Sequence, residues 1–346
     1  MADVSRWLEV RRYLVENRYR LGVEAANEYA ADRRVAGTPL LAPAWWIPAK
    51  PIPLTSVRLE FEPDAVFTGV TGLEPVAQRS LPGSNYESYA DAIADLAPPA
   101  VFENRPTYRL IAADLAGPQP VLRFGRGTYF DSINTGEAAA HEYAARQLNP
   151  DTPQGLRTAI GDPWDPARRP INLAISTLTI RREPGDAGFL LHWRDPAKVG
   201  HAGGLYQVVP SGVFQPTQSE QHDFSLWRNL VRELAEELLG HPEGTPVSSP
   251  FAERLSQGLG DGTVQAYCVG LGVDPLTFAT DLLTVLSIDS QLFDELFGQL
   301  VQGNEEGKVL APQPFTAEVI EEFVRRKPMQ AAGAATLRLA WNHQLG

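Results

Sequence analysis

The stretch Asn229–Gly240, NLVRELAEELLG, sets three glutamates against one arginine. Trp227, Leu230, Val231, Leu234 and Leu238 recur at i, i+3, i+4, i+7 and i+11, the spacing of a single apolar stripe on an α-helix. Asp223 and Ser225 are both placed to cap its start. At about 100° per residue, Glu233, Glu236 and Glu237 fall in one sector of roughly 100° that points away from the stripe. Like charges at these spacings cost an isolated helix a few tenths of a kcal/mol per pair, so something must offset the repulsion. Two readings follow. Either a divalent cation gathers the three carboxylates, or they form a solvated outer face with Arg228 and Arg232 beside them.

Composition bounds both readings. A chain of 346 residues that is 43% apolar buries a large core and folds as one big domain or two. The net charge of −12 and the lack of a Lys/Arg run argue against a nucleic-acid partner, since phosphate backbones require clustered cations. Cys268 is the only cysteine, which excludes a disulfide within the chain and a thiolate zinc site and suits a reducing compartment. The N-terminus MADVSRWLEVRRYLVENRYRLG is charged and amphipathic, and nowhere do 18 uncharged apolar residues run together. A soluble, cytoplasmic protein without a membrane partner is expected.

Along the chain, residues 4–33 read as a helical segment, and the five prolines of TPLLAPAWWIPAKPIPL read as an extended strap in which Trp45 and Trp46 must pack. SVRLEFE reads as a strand, YESYADAIADLA as a short helix, and TYRLIAADLAGPQPVLRFGRGTYFD as two strands around a Gly-Pro turn. The glycine-rich FGRGTYF lacks the Lys-Ser/Thr of a phosphate loop and reads as a hairpin turn. TGEAAAHEYAARQL is a helix on which Glu137 and His141 stand at i, i+4, a spacing that two metal ligands can share but that packed residues share more often. A turn-rich passage then suggests a boundary near Ala167, dividing the chain into an N-terminal α/β region, 1–166, and a second domain, 167–346. Beyond it INLAISTLTIRRE, GFLLHWRD and GGLYQVVPSGVF read as consecutive strands that lead into the acidic helix. TVQAYCVGLGVD follows as a strand, DLLTVLSID as a strand or helix, and two helices close the chain. The fold class is α/β, with a mixed sheet flanked by helices.

These residues resemble a Nudix domain from about Ala174 to the C-terminus. The family hydrolyses nucleoside diphosphates linked to another moiety, and its box reads G-x5-E-x7-R-E-U-x-E-E-x-G-U, with U a bulky aliphatic residue. Arg232, Glu233, Leu234, Glu236 and Glu237 match R-E-U-x-E-E without a gap, and Gly212 in PSGVF takes the place of the first glycine. The pattern departs in three places. Gly212 and Arg232 lie 20 apart where the family has 14, which adds about six residues around QPTQSEQHDF. Phe224 stands where the family has its first glutamate, leaving Glu220 or Asp223 to supply that carboxylate. The closing glycine, Gly240, arrives one residue late.

The resemblance implies Mg2+ or Mn2+ on Glu233, Glu236 and Glu237, with Glu220 as a further ligand, and it gives Arg232 the task of fixing the loop by a salt bridge. Mg2+ takes hard oxygen ligands and keeps open positions for a pyrophosphate, which suits carboxylates on one helix face. Glu305 and Glu306 in QGNEEGK are the candidates to take a proton from the attacking water. Arg181, Arg182, Arg194 and Lys198 are the candidates to grip a small-molecule diphosphate. A homodimer is expected by analogy alone. Two functions stay open: a metal-dependent diphosphate hydrolase, and a Nudix-fold module that senses a nucleotide-type ligand or binds a protein without turnover.

Overall fold

The computed structural model describes residues 3–83, 85–99, 101–194, 204–242, 250–298 and 307–346. The N-terminal half supplies α1 (Val4–Glu16), α2 (Arg18–Ala26), β1 (Ile52–Pro53), β2 (Arg58–Phe61), α3 (Pro75–Gln78), α4 (Tyr89–Leu96), β3 (Pro106–Asp114) and β4 (Val121–Thr128). It continues through α5 (Tyr129–Ser132), α6 (Ala138–Leu148) and α7 (Leu156–Ile160). The rest contains β5 (Ile171–Arg182), β6 (Gly188–Phe189), β7 (Leu191–Arg194), β8 (Tyr206–Val208), β9 (Ser211–Val213), α8 (Leu226–Leu239), α9 (Pro250–Asp261), β10 (Val264–Val273) and β11 (Thr280–Asp289). It closes with α10 (Ser290–Phe297), β12 (Gly307–Val309), β13 (Gln313–Pro314), α11 (Ala317–Arg325) and α12 (Ala331–Asn342).

The 12-residue β5 organises the molecule. Along one edge it runs parallel to β11 from Leu173 to Arg182. Along the other it meets β3 at Ile171–Asn172, β9 at Ala174–Ser176 and β6 at Ile180–Arg181, all antiparallel. Among the described residues ten strands join this mixed sheet, with the path β1-β10-β11-β5-β3-β4-β2, and β12-β7-β8 form a smaller one. Strands from both sides of Ala167 therefore share one sheet. β5 and β11 are buried almost throughout, as expected of a parallel pair covered by helices, and the buried hydroxyls of Thr177 and Thr284 meet at 2.7 Å between them. The alanine-rich α12 packs on β5, β10 and β11, α9 on β10, and α10 on β11. The expected class, α/β with a mixed sheet flanked by helices, is what the chain adopts. DLLTVLSID is a strand, β11.

Several local expectations differ. GFLLHWRD and GGLYQVVPSGVF, each expected as one strand, are split between the two sheets, the first as β6 and β7 and the second as β8 and β9. The helix expected over residues 4–33 breaks at Asn17, which leaves the helical region at φ −115° and whose side-chain amide donates to the Tyr13 carbonyl at 3.0 Å. In the strap, Trp46 is buried but Trp45 is half exposed. FGRGTYF is no hairpin turn: Gly125 and Gly127 lie inside β4, and Thr128 begins α5 with a capping box. The Arg109 side chain crosses both glycines, and a Cβ on Gly127 would stand 2.9 Å from Arg109 Cβ. No helix among the described residues is long and apolar enough to cross a membrane.

Candidate functional site

Ser225 begins α8, its hydroxyl accepting the Arg228 amide at 3.4 Å, and Gly240 ends it in the left-handed region at φ 69°. The stripe of leucines faces the core as expected, but the opposite side is not wet. The Glu233, Glu236 and Glu237 side chains are only 12, 13 and 11% exposed, which overturns the solvated-face reading. The edge of β9 lies against two of them, Glu233 and Glu237. The Ser211 amide donates to Glu237 Oε1 at 2.6 Å. A Cβ on Gly212 would stand 2.1 Å from Glu233 Cδ, so the glutamate lies where any other side chain would begin. This close approach gives the glycine ahead of the loop a physical reason.

Charge is arranged around Arg232, itself buried. Its Nη2 lies 2.7 Å from Glu233 Oε1 and donates to Asn229 Oδ1 at 2.9 Å, while Nη1 stands 3.6 Å from Glu236 Oε2. His192 of β7 comes in from another sheet, with Nδ1 at 3.8 Å from Glu237 Oε2. Among the described residues, no group of three or more His, Cys, Asp or Glu is drawn together as a ready metal cage.

The long loop does not return the lost carboxylate to this place. Glu220 is gripped by Arg126 of β4 through two contacts of 2.7 and 2.8 Å, which hold its carboxyl below the usual range. The Glu220 carbonyl also accepts from Tyr108 Oη at 2.7 Å, so the loop is tied to the β3–β4 hairpin. Asp223 folds back to accept the amides of Thr217, Gln218 and Ser219 and lies beside His222; although burial works the other way, these bonds bring its pKa to about 2. Phe224 joins an aromatic cluster with Phe61, Tyr108, Phe124 and Phe214, at ring separations of 5.1, 5.0, 5.7 and 5.8 Å. Glu220 therefore departs from the expected ligand set because a cation on β4 claims it.

The expected phosphate-gripping cations scatter. Arg181 is held by Asp294 at 2.9 and 2.8 Å and by Glu183, and Arg182 donates to the Gly262 carbonyl at 3.2 Å. Both leave β5 five and six residues beyond Ser176, where β9 pairs, a separation of roughly 17–20 Å along the strand. Neither is gathered with the glutamates. Arg194 differs, since it stands two residues after His192 on β7 and hence on the same strand face, roughly 7 Å further along. Lys198, Glu305 and Glu306 lie outside the described residues. Glu137 is engaged by Arg11 at 2.7 Å and Arg18 at 2.9 Å, and His141 stacks on Trp7 at 5.0 Å, so packing accounts for that pair.

Sequence reasoning missed Ser211 and His192. Ser211 acts through its amide, which no side-chain pattern announces, although its place directly before Gly212 was a clue. His192 reaches Glu237 from a strand 45 residues away.

No family model matches the chain, and no curated protein matches it. Among solved structures, the chain is similar to a NUDIX hydrolase from Alicyclobacillus acidocaldarius, at 17% identity and a TM-score of 0.32, over 49% of this chain and 90% of that one.

Proposed function

We propose that this chain is a divalent-metal-dependent hydrolase that cleaves, with water, the pyrophosphate bond of a nucleoside diphosphate linked to another moiety. The observation that carries the reading is the fit between β9 and α8, where Glu233 occupies the space over Gly212 and Glu237 is held by the amide of the preceding residue, Ser211. Two carboxylates of an R-E-L-A-E-E string are thereby buried and oriented, at a desolvation cost that a merely polar helix face would not carry.

The donor chemistry suits Mg2+ or Mn2+, since carboxylates are hard oxygen ligands and each offers more lone pairs than one hydrogen bond uses. Glu236 and Glu237 would hold the ion, with Glu233 sharing it. The ion would supply neutralisation of the charge that develops on the phosphoryl oxygens as water attacks. The chain's own residues do the rest. The Ser211 amide orients Glu237, Arg232 holds Glu233 and partly offsets the crowded charge, and Arg194 is the cation best placed to meet a phosphate. Glu305 or Glu306 would take the water's proton, and Lys198 would add a second cation.

A second reading, a module that binds such a ligand without turnover, is favoured by one specific set of contacts. Phe224, Glu220 and Asp223 all serve the loop's own packing, so the position of the family's first glutamate carries no carboxylate. A product-release assay over a panel of nucleoside diphosphate derivatives, with Mg2+ or Mn2+ and with chelator, separates the two. Chelator-sensitive release of phosphorylated products is expected. Calorimetric binding of a panel member with no product from any would overturn hydrolysis in favour of the binding module.

A further inference from the structure

The contacts that orient Glu237 continue inward past Ser211. Ser211 sits opposite Ser176 of β5, and the two hydroxyl oxygens are 3.2 Å apart. Gln207 Nε2 donates to Ser211 Oγ at 2.9 Å and to Ser176 Oγ at 3.3 Å. Ser176 Oγ in turn donates to Asp281 Oδ1 of β11 at 2.7 Å. The single proton of Ser176 goes to Asp281, and Gln207 can only donate from Nε2, so the donors run one way and end on this carboxylate.

We propose that Asp281 is a positioning residue for Glu237: through Ser176 and Ser211 it holds the edge of β9 in the register that keeps the Ser211 amide on Glu237. Its consequence for metal binding rests on the hydrolase reading; its effect on Ser211 does not. Packing alone gives no reason for a carboxylate here. Asp281 is 7% exposed and Ser176 fully buried, and burial pushes the acid up to about 6, against the pull of the Ser176 bond and with help from Asp274. An apolar residue would spare that cost. Asp274, from the loop before β11, is the charged group that acts on Asp281; Arg18 and Tyr19 of α2 line the same pocket, and the Arg18 guanidinium is held by Glu137. The start of α12 in that pocket, Gln330 to Ala332, brings no charge.

The test compares the full-length wild type with Asp281→Asn, Ser176→Ala and Ser176→Thr. The first readout is hydrogen exchange of the Ser211 amide in metal-free protein, and the second is Mn2+ affinity at pH 7.5. Exchange at Ser211 should quicken at least about tenfold in Asp281→Asn and Ser176→Ala, with α9 amides unchanged, and Ser176→Thr should restore protection by returning the hydroxyl. Mn2+ should bind about tenfold more weakly in the first two variants, the usual effect of losing a group behind a metal ligand, and Asp281→Asn should add nothing in a Glu237→Gln background. Faster Ser211 exchange in a protein whose wild type neither binds Mn2+ nor releases product would sink the hydrolase and leave the positioning contact standing. Wild-type hydrolysis with Ser211 exchange and Mn2+ affinity within twofold in Asp281→Asn would overturn the inference alone. Should Asp281→Asn fail to fold, the Ser176→Ala and Ser176→Thr pair decides by the same readouts.

Discussion

Two helices, α6 and α8, each border buried glutamates, and their partners differ in kind. Glu137, at the start of α6, meets Arg11 and Arg18 from more than a hundred residues away, in contacts of 2.7 to 3.0 Å. Glu142 on the same helix accepts the amides of Gly155, Leu156 and Arg157 at 2.9, 2.8 and 3.0 Å and so caps α7. Each carboxylate on α6 has cations or a helix end of its own and pins one element to another. On α8, Glu233, Glu236 and Glu237 are crowded at i, i+3 and i+4, and Arg232 on the same helix spans the first two. Buried acids that each have cations or a helix end of their own are fasteners. Buried acids packed side by side on one turn raise each other's cost, and that arrangement is the one to probe for a cation.

Removing a fastener should have the largest effect. Glu137→Ala leaves two buried guanidinium groups without their carboxylate and should lower stability by about 3–5 kcal/mol. A urea-denaturation loss below about 1 kcal/mol would mean that α6 is no fastener. Glu142→Ala strands three amides at the start of α7 and should cost about 1–3 kcal/mol, readable as faster hydrogen exchange of the α7 amides together with a lower midpoint.

Glu237→Gln should behave in the opposite way. Its amide oxygen can still accept from Ser211, so stability should stay within about 1 kcal/mol of wild type, while metal-dependent turnover should fall at least about tenfold, or 1.4 kcal/mol in barrier. Unchanged turnover, or turnover indifferent to chelator, would reduce the α8 glutamates to fasteners as well. The smallest effect concerns the loop. Asp223→Asn should cost about 1 kcal/mol at neutral pH without altering hydrolysis. Because the folded pKa of Asp223, about 2, lies below its ordinary 3.8, this stability is fully present above 3.8 and is lost as pH falls through about 2. Thermal unfolding of wild type and variant between pH 7 and 2 should therefore converge at the acid end.

How far the site was legible follows from the range of each interaction. The helix, its stripe and the shared face of Glu233, Glu236 and Glu237 depend on 3.6-residue periodicity and were readable directly. The extended chain before the loop was readable from its β-rich pattern, but its division into β8 on the small sheet and β9 on the large one was not. Loop carboxylates were not, because Glu220 answers to Arg126, 94 residues earlier. Arg181 misled for the same reason: its partner Asp294 lies 113 residues on.

What the amino-acid sequence determined by itself is therefore local and periodic: the α/β class, the acidic turn of α8, and a glycine ahead of it, each set by backbone geometry that a short window contains. Tertiary structure decided which way burial fell. It brought β9 over α8 so that two glutamates became buried, sent Glu220 to β4 and Phe224 to an aromatic cluster, and ran a hydrogen-bonded path from Glu237 to Asp281 across three strands. The physical reason is that desolvation and ion pairing depend on which distant groups meet, and only the folded sheet fixes those meetings.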